Sequence, residues 1–207
     1  MVVIASLMTI AAAFVVAAAS PGPATIAIAT VSMNAGRKSG LLFGMGLSVG
    51  LAFWGLVAAT GLGALLQASS HALSLLKLLG GAYLLWLAFN SARSANSAVE
   101  TQVDLGTERR DFNRGLLLNL SNPKAVFAWM AVLALGLGDG SEAGHVILAT
   151  GLCIVLGFLI YTSYALIFST SGAMAVYRRT RRWIEGAVAG LFALAGLGLI
   201  RSAFVKQ

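Results

Sequence analysis

Long apolar runs alternate with short charged segments along this chain. The runs extend over about 3–33, 40–66, 73–91, 115–137, 146–168 and 183–200. A membrane hydrocarbon core about 30 Å thick needs around 20 apolar residues per helix, so each run is long enough to predict one membrane-spanning helix. We therefore expect an all-α integral membrane protein with six transmembrane helices.

Two of these runs are interrupted by helix breakers at membrane depth. Residues 1–36 contain no ionisable side chain, yet Pro21, Gly22 and Pro23 lie in the middle of the first run. The fourth run contains a second break, at Asn119-Leu120-Ser121-Asn122-Pro123-Lys124. Proline removes an amide donor and clashes with the preceding turn, and the freed backbone must face protein or a wet cavity. Broken half-helices of this kind form ligand sites in membrane transporters.

The composition and the distribution of charge agree with a membrane location. Hydrophobic residues make up 58% of the chain and charged residues 10%, against about 25% charged in ordinary soluble domains. With six spans, one face carries ten basic residues: Arg37, Lys38, Arg93, Arg109, Arg110, Arg114, Arg178, Arg179, Arg181 and Arg182. The positive-inside rule puts this face in the cytoplasm and both termini on the periplasmic side. Arginines beside a span indicate contact with membrane lipids, and we expect no nucleic-acid partner.

The order of the spans divides the chain into two halves. Repeat one comprises 1–92, a cytoplasmic linker 93–114, and repeat two 115–207, together one transporter domain. Three spans per half, joined in series, invert the second half relative to the first. Pro23 and Pro123 then break the first helix of each half. Glycines four residues apart, Gly40 with Gly44 and Gly46 with Gly50, predict close helix packing within the monomer and also allow a homodimer.

The two breaks and their flanking residues resemble the LysE/RhtB-type family of amino acid exporters. The likeness covers nearly the whole chain, and it is carried by Ser20-Pro21-Gly22-Pro23 followed by Gly36-Arg37-Lys38-Ser39-Gly40-Leu41, and by Phe112-Asn113-Arg114-Gly115 followed by Asn119-Leu120-Ser121-Asn122-Pro123-Lys124-Ala125. The resemblance implies efflux of amino acids across the bacterial inner membrane, with the proton as coupling ion and no cofactor. It implies a transporter and not an enzyme. The family often has Asn or Asp directly after Pro-Gly-Pro, whereas this chain has Ala24. The cargo implied by this departure is either a larger or more apolar amino acid or a different compound.

Lys124 is the most informative charged residue of the spans. It lies nine residues after Gly115, which corresponds to about 14 Å along a helix and to the middle of the membrane. A lysine there costs about 2.5 to 3.5 kcal/mol, so its ammonium should face the bundle interior and find a partner. The partner is either a substrate carboxylate or the backbone carbonyls freed by Pro123.

The other candidate substrate-binding residues are the helix breakers and their polar neighbours. Asn119 and Asn122 have the donors and acceptors either to cap the second break or to hold a substrate amino group. A half-helix starting near Pro23 would present a positive dipole end that suits a carboxylate, with Thr25 on its first turn. The complete predicted set is Pro21, Gly22, Pro23, Thr25, Asn119, Asn122, Pro123 and Lys124. No carboxylate is predicted deep within a span; Glu185 comes closest, and its spacing from Arg181 and Arg182 predicts an interfacial ion pair.

Two other classes of protein remain as alternatives. An exporter of another small solute or of a cation could use the same fold, although a metal site would want thiolate, imidazole or carboxylate ligands at depth. The spans offer Cys153 alone, so we expect no metal site and no redox-active cysteine pair. A non-transporting membrane scaffold would not need breaks at matched depth in both halves.

Overall fold

The computed structural model describes residues 2–68, 70–94, 108–136, 143–170 and 172–204. Over these residues the chain is helical and contains no β-strand. The helices are α1 (Val2–Ala19), α2 (Pro23–Ala68), α3 (Ser70–Ser94), α4 (Glu108–Leu120), α5 (Pro123–Gly136), α6 (Ala143–Phe168) and α7 (Ala173–Phe204). The predicted all-α membrane protein is confirmed at this level.

Three of the described helices are long and apolar enough to cross a membrane: Pro23–Gly61, Ala143–Phe168 and Arg179–Phe204. A fourth span arises if Arg110–Leu120 and Pro123–Ala134, which are bent by 58° at the second break, count as one broken helix. Val3–Ala19 is a shorter apolar helix. Six spans and their inverted arrangement therefore remain a prediction.

Two predicted connections are much shorter in the structure than the hydrophobic pattern indicated. The gap between the first two apolar runs is a kink inside α2, where Gly36 alone leaves the helical conformation with φ 83° and ψ 179°. The arginines between the last two runs lie inside α7, because arginine is a good helix former and charge alone does not end a helix. Of the predicted linker 93–114, the ends are helical, and residues 95–107 lie outside the described residues.

α2, which begins at the first break, packs closely against its neighbours. α2 packs against α4 and α6, and α3 packs along α7. Gly46 lies directly against the backbone of Phe112 and Leu116, and Gly44 lies against the Tyr161 carbonyl, so the predicted glycine faces are used within the monomer. A side chain at Gly46 would hold α2 and α4 apart.

We expect Gly36→Ala to lower the free energy of unfolding by about 1 to 2 kcal/mol, because only glycine adopts this backbone conformation without strain. Among the described residues, and apart from the neighbours of Gly36 in the chain, no atom lies within 4 Å of the position that a Cβ would take there, so the loss is conformational and not steric. SDS titration in mixed micelles would measure it. Gly190→Ala is the matched control: Gly190 is helical and equally open, so alanine there should leave stability unchanged or raise it. Equal effects at both positions would contradict the expectation.

Candidate functional site

The first break lies between α1 and α2 and is closed by its own polar groups. α1 ends at Ala19 and Pro23 is the first residue of α2, a position where proline loses no helical hydrogen bond. The Gly22 amide donates to Thr25 Oγ1 at 2.8 Å, and the Ile26 amide donates to the Gly22 carbonyl at 2.9 Å. Thr25 Oγ1 also donates to the Gly22 carbonyl at 3.0 Å, so the Thr25 hydroxyl caps the start of α2 by bonding both backbone groups of Gly22.

The second break has the same layout between α4 and α5. α4 ends at Leu120, Pro123 begins α5, and the Lys124 amide donates to Asn122 Oδ1 at 3.1 Å. Asn122 therefore caps α5, one of the two roles predicted for it. Asn119 does not take part in this cap: it is fully buried and its Nδ2 donates to the Leu47 carbonyl of α2.

Lys124 connects the two breaks. Its Nζ donates to the Ser20 carbonyl at 2.9 Å, to Ser20 Oγ, and to the Pro21 carbonyl at 3.4 Å. A Cβ on Gly22 would lie 3.1 Å from Nζ, so the glycine makes room for this approach. The ammonium thus binds backbone carbonyls of the first break. The sequence had predicted a different partner, either a substrate carboxylate or the carbonyls freed by Pro123 in the second break.

Each broken helix is also completed by an aromatic side chain of a distant helix. Tyr164 of α6 donates its hydroxyl to the carbonyl of Ala19, the last residue of α1, at 2.6 Å. Trp54 of α2 donates its indole N–H to the carbonyl of Leu120, the last residue of α4, at 3.2 Å. Carbonyls at helix ends lack an intrahelical partner, so each contact satisfies the last carbonyl of a broken helix. The contacts are crosswise: a residue from the second half of the chain completes α1, and a residue from the first half completes α4.

Two cavities meet at the breaks. The small cavity has a volume of about 400 Å³ including space open to the surroundings, and its lining includes Gly22, Thr25, Asn119, Asn122 and Lys124, beside Ala24, Trp129 and Tyr161. The large cavity, about 690 Å³ including space open to the surroundings, is lined by Pro21, Gly22, Pro23, Asn122, Pro123 and Lys124 among others. Every predicted site residue lines one of the two cavities, and the shared residues Gly22, Asn122 and Lys124 form a common wall.

The large cavity also contains residues that the sequence did not single out as site residues. Its remaining lining comes from α3 and α7: Tyr83, Trp86, Leu87, Asn90, Ser91, Glu185 and Phe192. The predicted ion pair between Arg181 and Glu185 is present. Glu185 is fully buried within the protein, and its position at the membrane interface stays a prediction. The i,i+4 spacing was visible in the sequence, but its burial depends on α3 packing along α7.

The described residues contain no cluster of side chains suited to binding a metal ion. No group of three or more His, Cys, Asp or Glu side chains placed to hold a metal ion occurs among the described residues. The polar groups at the two breaks are amides, carbonyls, hydroxyls and one ammonium. Their chemistry suits an organic ion with hydrogen-bonding groups.

The sequence of this chain is similar to those of known membrane proteins. The chain is 33% identical over 202 residues to the threonine efflux protein of Escherichia coli strain K12, covering 94% of this chain and 97% of that protein. It is 28% identical to the homoserine/homoserine lactone efflux protein of Salmonella typhimurium strain LT2, with 86% and 87% covered. An uncharacterized membrane protein of Haemophilus influenzae is 30% identical, with 87% and 89% covered. No solved structure matches the chain.

The family profile of the LysE type translocators matches residues 15–203, a range that includes both breaks and every lining residue of the two cavities except Phe14. This agrees with the resemblance seen in the sequence and with the apolar helices of the fold. It makes the protein a membrane transporter and not an enzyme. The chain belongs to the LysE-type translocator family.

Proposed function

We propose that this protein exports amino acids from the bacterial cytoplasm across the inner membrane, driven by the proton-motive force. The observation that carries the proposal is the meeting of the two helix breaks at Lys124, between two cavities. A partly buried ammonium beside the ends of two half-helices can bind a carboxylate. Free amino acids carry this group.

The carboxylate would bind at the common wall of the two cavities. Lys124 now donates to the carbonyls of Ser20 and Pro21. A carboxylate is a stronger acceptor for an ammonium than a neutral carbonyl is, so a substrate would compete with the first break for Lys124. The eight residues predicted from the sequence are the proposed binding set. When Lys124 leaves the carbonyls of the first break and binds the substrate, the common wall between the two cavities would open.

Six spans in two inverted halves are the topology that we propose for this site. The crosswise contacts of Tyr164 with Ala19 and of Trp54 with Leu120 support it, because each half then completes the broken helix of the other. The basic face of the chain would lie in the cytoplasm and both termini in the periplasm. The exposed Gly186 and Gly190 of α7 leave room for a homodimer.

Threonine and homoserine are the first cargo candidates, since relatives of this chain are named for their efflux. Both are small amino acids with a hydroxyl group. Ala24 lines the small cavity where the family often has a polar side chain, so a more apolar amino acid is the next candidate. All carry the carboxylate that the proposal requires.

A metabolite time course tests the proposal. Cells are loaded with small peptides, and intracellular and extracellular amino acids are followed with the protein and with an empty vector. We expect one or a few amino acids to appear outside several-fold faster when the protein is present, and a protonophore to remove the difference. No difference for any amino acid would contradict amino acid export. A difference that survives the protonophore would contradict the proton drive alone.

A further inference from the structure

Glu185 is a buried carboxylate in the wall of the large cavity. Its relative exposure is 0%, and it lines the cavity together with Lys124 and the residues of the first break. Arg181 donates to Glu185 Oε1 through Nε, whereas Oε2 has no hydrogen-bond partner among the described residues. Among the described residues, Oε2 is therefore the oxygen that a substrate group or a proton would satisfy.

A charged carboxylate oxygen without a partner is unfavourable in a buried position. It is satisfied either by a cationic donor such as an ammonium group or by a proton that neutralises it. The two partners exclude each other on the same oxygen. A buried carboxylate that faces a substrate cavity can therefore exchange a bound ammonium for a proton.

The charges around Glu185 fit this exchange. Arg181 and Tyr177 lie near it on α7, and burial raises the pKa of Tyr177, which keeps that hydroxyl neutral. Tyr83 of α3 and Lys124 of α5 line the same cavity, whereas Lys77 and Arg93 of α3 do not, and the described part of α6 contributes no lining residue. Glu185 is thus the one carboxylate among the described lining residues.

The cavity offers opposite charges to the two ends of a zwitterion. Lys124 and the half-helix end at Pro23 provide the positive side, and Glu185 provides the negative side. The rings of Tyr83 and Trp86, stacked with centroids 5.3 Å apart, line the same cavity. An α-amino acid with both groups charged matches this pattern, and a carboxylic acid without an amino group does not.

We propose that Glu185 binds the ammonium group of the exported amino acid and a proton in turn, and thereby couples export to proton entry. This inference rests on the proposed function. A proton that arrives at Oε2 displaces the ammonium group, and its departure restores the substrate site. A neutral zwitterion leaves for each proton that enters, so one positive charge moves inward in each cycle.

Proton release on substrate binding tests the inference directly. Purified wild-type protein in weakly buffered detergent solution is mixed with L-threonine or L-homoserine, and a pH-indicator dye follows the protons. We expect release of up to one proton for each amino acid bound. Affinity should fall by up to about tenfold for each unit of pH on the acid side, because one proton competes with the substrate.

Three variants separate Glu185 from a general effect of buried carboxylates. Glu185→Gln should bind without proton release and without the pH dependence, and Glu185→Asp should keep both. Asp111→Asn is the matched control, because Asp111 is also buried, pairs with Arg114 at 3.7 Å and leaves Oδ2 without a partner among the described residues. Asp111 lines neither cavity, so its variant should release protons as the wild type does.

Each outcome decides the question. Proton release by wild type, Glu185→Asp and Asp111→Asn, with none from a Glu185→Gln variant that binds substrate, supports the inference. If Glu185→Gln fails to fold or bind, a shifted pH dependence of release in Glu185→Asp supports the inference and an unshifted one overturns it. Wild-type binding without proton release overturns it, as does release by Glu185→Gln or loss of release in Asp111→Asn. Loss of binding in both folded Glu185 variants assigns the residue a structural role and also overturns it. If wild type binds neither amino acid, the proposed function fails first.

Discussion

Lys124→Met is expected to reduce amino acid export by more than about tenfold. Methionine keeps much of the length of the side chain but loses the ammonium that joins the Ser20 and Pro21 carbonyls to the second break. A hydrogen bond to a charged group contributes about 1.5 to 3 kcal/mol, and about 1.4 kcal/mol corresponds to a factor of ten. The substrate carboxylate would lose its cationic partner as well. Export rates in the time course, divided by the amount of protein in the membrane, measure the effect.

Lys38→Met is the matched control for this substitution. Lys38 is exposed on α2, after the Gly36 kink, and lines neither cavity. Its variant should export at a rate close to that of wild type. Equal losses in both variants would indicate a general effect of removing a lysine, and undiminished export by Lys124→Met would remove Lys124 from the site.

Gly46→Ala is expected to lower the free energy of unfolding by about 3 kcal/mol, near the upper end for overpacking. The added Cβ would overlap the Phe112 carbonyl oxygen and lie 2.7 Å from the Leu116 amide nitrogen. Both are backbone atoms of α4, so neither can rotate away, and the two helices must separate. SDS titration of purified protein measures the change, and export should fall because α4 carries the second break.

Gly151→Ala provides the comparison for this prediction. Gly151 is an exposed residue of α6 with no atom within 4 Å of the position of a new Cβ. Alanine there should leave stability unchanged or raise it slightly. If Gly46→Ala unfolds at the same SDS concentration as Gly151→Ala, the close crossing of α2 and α4 does not occur in the membrane.

The positions of the two helix breaks could be predicted from the sequence because their causes are local. Pro23 and Pro123 cannot continue a preceding helix, and each is the first residue of a new one. The acceptor oxygen of Asn122 lies one residue before Pro123, which is the cap position, and it accepts the Lys124 amide. These relations extend over three or four residues, so the order of the residues determines them.

The contacts of the site depend on packing that a sequence does not display. Lys124 binds Ser20, which lies 104 residues earlier, and no local pattern identifies that partner. The ion pair of Glu185 is local, but its burial arises from the packing of α3 on α7. The Gly36 kink was predicted as a loop because Arg37 and Lys38 interrupt the apolar run, although one glycine is enough to redirect the helix.

The crosswise contacts at the helix breaks have a consequence for biogenesis. The Ala19 carbonyl receives its hydrogen bond from Tyr164, which lies 145 residues later in the chain. An unsatisfied backbone group in hydrocarbon costs several kcal/mol, so the first break is incomplete while the ribosome is still making the second half. The first break is therefore completed only after α6 has been synthesised and inserted. A truncated N-terminal half, which lacks α6, should be a substrate for quality-control proteolysis.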